Sequence, residues 1–116
     1  MGCGGCITVP ATGTVVFSSP VGGTGESDAP GDYPNFAYCL WTFQGPTGKQ
    51  LQFTEDPSVP FNLNDDCGTD TLRIGSDQYC SSNVFTTQTV SNPTVVIFTS
   101  DVSLTASGWK INVQAV

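Results

Sequence analysis

Wherever this chain turns apolar it does so in short runs, and most of them alternate with a period of two. "FAYCLWTFQ" places Ala37, Cys39, Trp41 and Phe43 on one face and Phe36, Tyr38, Leu40 and Thr42 on the other. "KQLQFTE" repeats the pattern with Leu51 and Phe53, and "SGWKINVQAV" with Trp109, Ile111, Val113 and Ala115. Successive side chains of a strand point to opposite faces, so this rhythm suits strands with one buried face and not the stripe of a helix. "TVVIFTS" is almost continuously apolar, as expected of a strand at the centre of a sandwich. "ITVPATGTVVFSS" reads as one or two strands turning at Ala11-Thr12-Gly13, "TLRIG" as another, and "QYCSSNVFTTQTVS" as a crossing between sheets. About eight short strands without helical periodicity predict an all-β fold, a two-sheet β-sandwich of jelly-roll or Greek-key type.

Two stretches break the rhythm. "VGGTGESDAPGDYPNF" is rich in glycine, proline and acids, and "DPSVPFNLNDDCGTD" gathers carboxylates around Cys67; both read as surface loops. Met1 and Gly2 read as an expression remnant, leaving residues 3–116 as a single domain. No stretch approaches the ~20 apolar residues that span a bilayer, so no membrane insertion is expected. Ten acids against three Lys and Arg give a net charge of −7. That balance disfavours nucleic acid and anionic membranes, which need basic patches, and favours cationic partners: a metal ion, or lysines and arginines on another protein.

The five cysteines, Cys3, Cys6, Cys39, Cys67 and Cys80, point to disulfides and an oxidising, extracellular compartment. Structural zinc fits poorly: Cys3 and Cys6 form one C-x-x-C, but there is no second such pair and no histidine. An odd count leaves one thiol over. The absence of histidine also removes Ser-His-Asp and Cys-His catalysis, and the adjacent pairs Glu55-Asp56 and Asp65-Asp66 do not face each other as glycosidase carboxylates do. No enzymatic activity is expected.

The order of motifs resembles a CUB domain. "CGGCITVPATGTVVFSSP" matches that family's opening cysteine, glycines and strand, and "DYPNFAYCLW" its Tyr-Pro followed by C-x-W. "GPTGKQLQF", "CGTDTLRI", "QYC", "TVVIFTSD" and "SGWKINVQAV" follow in the family's order across essentially the whole chain. The sequence looks closer to the divergent CUB domains attached to invertebrate secreted proteases than to vertebrate developmental ones. The resemblance implies disulfides Cys67–Cys80 and Cys3–Cys39. Cys6 is then a free or intermolecular thiol, although it too lies near enough in sequence to pair with Cys39.

The resemblance also implies a calcium ion at one end of the sandwich. Asp70 matches the family's ligand three residues after the third cysteine, and Asp101 the aspartate of the later Ser-Asp. The family's glutamate position falls on Asn64, with Asp65 or Asp66 able to restore the lost charge. Calcium takes six to eight oxygens in irregular geometry, which such a set suits. The same aspartates also suit turns, where the side chain bonds nearby backbone N–H groups.

The function implied is a non-catalytic, secreted, extracellular protein-interaction module. Its acidic end would capture a partner's lysine or arginine in a calcium-dependent way. Tyr33 is expected at the surface as a partner contact, and Trp41 and Trp109 in the core. Two other classes fit the chain. One is a structural component of an extracellular material, crosslinked through Cys6. The other is a glycan-binding sandwich, which requires an exposed aromatic.

Overall fold

The structure, a computed structural model, describes residues 3–20, 33–34, 36–63, 70–101 and 106–116. Among these there is no helix. Nine strands form: β1 (Gly5–Thr8), β2 (Val15–Ser18), β3 (Tyr38–Gln44), β4 (Leu51–Glu55), β5 (Thr71–Ile74), β6 (Asp77–Tyr79), β7 (Gln88–Val90), β8 (Thr94–Thr99) and β9 (Lys110–Ala115). They make a five-stranded sheet in the order β1-β3-β8-β5-β6 and a four-stranded sheet in the order β2-β9-β4-β7. This is the expected all-β sandwich. The segment from Gln78 to Ser91 does cross between sheets, supplying β6 to one and β7 to the other.

The alternation read from the sequence becomes the core. Cys39, Trp41 and Phe43 of β3 face Phe17 of β2, Leu51 and Phe53 of β4, and Ile111 and Val113 of β9, all buried. Phe17 is the wedge between the sheets. Its ring meets Trp41 edge-on at 4.8 Å and Phe43 at 5.0 Å, and lies tilted against Trp109 at 5.5 Å. Such edge-to-face pairs set the negative face of one ring against the positive rim of the next, which adds to the gain from burial. The apolar piece inside the second loop also docks: Phe61 and Leu63 are buried, and Asn62 bridges to Gly108.

β8 departs from the expectation of a fully covered strand. It is central in its sheet, yet only Thr94, Val96 and Phe98 are buried, while Val95 is exposed and Ile97 half-buried. The outer face of the five-stranded sheet is therefore an apolar surface open to solvent along β3 and β8.

The first disulfide follows from register. β1 runs parallel to β3 with Gly5 opposite Trp41 and Cys6 opposite Thr42. Two residues earlier this brings Cys3 to Cys39, and they are bonded with Cα atoms 4.9 Å apart. Cys6 lies three residues further along β3 and remains a free, exposed thiol. Cys80 is also disulfide-bonded; its expected partner Cys67 lies outside the described residues.

The Gly-aromatic motif of the last segment has a steric cause. Gly108 has φ 82°, and a Cβ there would run into Ser19, whose Oγ accepts the Trp109 N–H at 3.3 Å. Removing the Phe17 wedge tests the packing. Phe17→Ala is expected to cost about 3–5 kcal/mol, as large-to-small changes of core aromatics do, measured by urea denaturation.

Candidate metal centre at the acidic end

β5 and β8 are antiparallel with Thr71 opposite Thr99. The residue that precedes β5 and the one that follows Ser100 therefore meet at the same end of the sandwich. They are Asp70 and Asp101. Asp70 is 1% exposed, and its carboxylate is held on two sides. The Tyr33 hydroxyl donates to Oδ2 at 2.6 Å, and the Asp101 backbone N–H donates to Oδ1 at 3.0 Å.

Tyr33 is not at the surface, and that expectation is corrected here. Its exposure is 0%. Its N–H bonds the Ala106 carbonyl at 3.3 Å, and its ring stands edge-on to Phe98 at 4.9 Å. An apolar ring with a polar tip suits a site that is core on one side and carboxylate on the other. Its hydroxyl holds one oxygen of Asp70 in place.

The Ser-Asp pair ties this end together. The Ser100 hydroxyl donates to the Pro34 carbonyl at 2.6 Å, and Ser100 Oγ accepts the Ala37 N–H at 2.8 Å. The Asp101 carbonyl accepts the Phe36 N–H at 2.8 Å. Asp101 therefore holds Phe36 with its carbonyl and Asp70 with its N–H.

Burial raises the Asp70 pKa above its ordinary value of 3.8. The Tyr33 hydroxyl and the Asp101 N–H pull it down, and the nearby Asp101 carboxylate pushes it up again. An ionised carboxylate offers about four acceptor positions. Among the described residues two donors reach Asp70, fewer than it can accept. Two carboxylates in one place, one buried and both rich in hard oxygen, fit a calcium ion in donor type. Asn64 and Asp65, the other expected ligands, lie outside the described residues, as do residues 102–105. Among the described residues no group of three or more His, Cys, Asp or Glu assembles.

A disulfide-bonded β-sandwich with carboxylates converging at one strand end defines a class of small β modules. The family model for CUB domains matches residues 13–113, and the chain belongs to the CUB domain family. Cubilin of the dog, Canis lupus familiaris, is 34% identical over 124 residues, covering 97% of this chain and 3% of cubilin. The extracellular region of zebrafish Gpr126/Adgrg6 superposes with a TM-score of 0.76 at 27% identity, over 100% of this chain and 15% of that one. The MASP-1 CUB2 domain bound to Ca2+ superposes with a TM-score of 0.71 at 22% identity, over 94% of this chain and 97% of that one. The chain thus spans a small fraction of the cubilin and Gpr126/Adgrg6 chains it matches.

The raised pKa makes a prediction for the metal-free domain. Folding raises this pKa, so protonation favours the folded state. That stabilising contribution is complete below the unfolded-chain value and is lost as pH rises through the folded-state value. In EDTA, the stability of the parent relative to Asp70→Asn therefore improves as pH falls from neutral toward the ordinary carboxylate range. Denaturant melts across pH measure it, and a pH-independent difference would count against the burial argument. Tyr33→Phe removes a donor that lowers the pKa. It should shift this dependence to higher pH and cost about 1–3 kcal/mol at neutral pH.

Proposed function

We propose that this domain is a non-catalytic, secreted interaction module that holds a calcium ion at its acidic end and captures a basic residue of a protein partner there. CUB domains serve as extracellular protein-interaction modules. The observation that carries the finer reading is the convergence of Asp70 and Asp101, with Asp70 buried and the Asp101 carboxylate beside it. The Ca2+ named in the MASP-1 CUB2 structure supports it. Asp70 and Asp101 would hold the ion, with Asn64 and Asp65 as the remaining side-chain ligands. A bound calcium ion would supply positive charge offsetting the repulsion between the two carboxylates. The acidic ligands of the ion would also accept N–H donors of a partner's lysine or arginine. The net charge of −7 steers such a partner toward the domain at low salt.

Thermal unfolding with calcium and with EDTA tests the ion site. Calcium at about 100 times its dissociation constant should stabilise the parent by about 2.7 kcal/mol. Asp70→Ala and Asp101→Ala should abolish that response. A parent whose melting temperature ignores millimolar calcium would sink the reading.

Cys6 favours a second reading, that of a crosslinked component of an extracellular material, because its thiol is free and exposed on β1. Oxidation with glutathione disulfide should then give a dimer on a non-reducing gel that Cys6→Ser abolishes. A parent that stays monomeric would remove this reading.

A further inference from the structure

We propose that Phe36, Tyr38 and Leu40 form an apolar strip that extends the acidic end along β3. It would select protein segments whose captured basic residue is followed by apolar side chains. This inference rests on the reading of the acidic end as a site for a basic residue, and it names the rest of what that site recognises.

The strip begins with a residue that the fold does not explain. Phe36 is 74% exposed and has φ 56°, the left-handed region that a bulky side chain rarely adopts. Glycine would take this backbone without strain, and with so much of the ring in solvent little packing would be lost. The phenylalanine is nevertheless held there by its N–H to the Asp101 carbonyl at 2.8 Å, beside the Ala37–Ser100 pairing. The backbone from which this large apolar side chain projects is thereby fixed relative to that of Asp101.

From Phe36 the surface continues. Tyr38 is 68% exposed and Leu40 44%. Tyr38 lies opposite Thr99, Leu40 opposite Ile97, and Thr42 opposite the exposed Val95. No charged residue occurs between Phe36 and Gln44. The strip therefore has an acidic end and an uncharged, apolar course, with Tyr38 and Leu40 about 7 Å apart on β3 and Phe36 in the turn before it. This is too small for a stable protein–protein interface, which takes about 800 Å² from each partner. It suits a short segment.

Charge complementarity decides what kind. Ten acids face three cations over the whole chain, and the strip starts at Asp101. An extended basic segment fits, with its lysine or arginine at Asp70 and Asp101. Leucine, valine or aromatic residues at alternate positions, about 7 Å apart, would then lie on Phe36, Tyr38 and Leu40.

Two synthetic peptides test this, Ac-Gly-Lys-Gly-Leu-Gly-Leu-NH2 and Ac-Gly-Lys-Gly-Gly-Gly-Gly-NH2. Each is titrated by NMR in calcium into the parent domain and into Phe36→Gly. The parent should bind the leucine peptide roughly tenfold tighter, as partial burial of two leucines implies. Phe36→Gly should melt no lower than the parent and bind the glycine peptide equally well, yet lose most of the preference. That combination separates recognition from a structural role. Equal affinities in the parent, or a preference that survives Phe36→Gly, would overturn the proposal while leaving lysine capture standing. If neither peptide binds in calcium, the reading of the acidic end fails and the strip proposal falls with it. A glycan-array signal that Phe36→Gly abolishes, without any peptide preference, would also overturn it and give the strip to carbohydrate.

Discussion

The interaction on which the rest of this domain depends is the insertion of the Phe17 ring between the two sheets. A sandwich is stable only if the inner faces interdigitate, and here one residue of β2 touches Trp41 and Phe43 of the opposite sheet and Trp109 beside it. The contact does not stop there. Trp109 meets Phe98 at 4.9 Å, Phe98 meets Tyr33 at 4.9 Å, and Tyr33 carries its hydroxyl to Asp70. A continuous line of rings runs from the centre of the core to the acidic end. Interiors packed at crystal-like density resist small displacements, so Asp70 is placed by the core and not by a loop.

This arrangement sets a conflict at the end of the sandwich. A buried carboxylate is costly unless it is hydrogen-bonded and its charge is answered. The hydrogen bonds are present, from Tyr33 and the Asp101 N–H. Among the described residues no cation pairs with Asp70, and the Asp101 carboxylate beside it raises the cost further. The opposite case sits on the exposed side of the molecule. Ser58 donors and the Lys110 ammonium, 3.4 Å away, hold the Asp56 pKa below its ordinary value. The same residue type is thus settled in one place and left in tension in the other, and the tension coincides with the motif positions of the family.

Much of the sandwich was legible in period-two alternation, because burial on one face imposes that period directly. Trp41, Phe43, Phe53 and Val113 all lie where the pattern put them. Asp70 and Asp101 were legible as motif positions, and antiparallel pairing of β5 and β8 brings them together. Tyr33 was not legible. It follows a glycine- and acid-rich segment, and nothing local distinguishes a tyrosine that folds back onto Phe98 from one left in water. The clue lay at a distance, in Ser100, whose hydroxyl donates to the Pro34 carbonyl next to Tyr33. The choice between Cys3 and Cys6 was open for a similar reason. It is decided by the parallel register of β1 on β3, which spacing along the chain does not encode.

The disulfide also decides how the domain would carry tension. Cys3 is bonded to Cys39 near the start of β3, 36 residues later. Val116 pairs with Gln50 at the opposite end of the sandwich. A pull between these ends bypasses everything from Gly4 to Tyr38, because the covalent bridge delivers the load straight to β3. β1 lies off that covalent route. At the other end the load enters β9, which is flanked by β2 and β4. The bridge thus sets which strands force on the termini would load first: β3 at one end and β9 at the other.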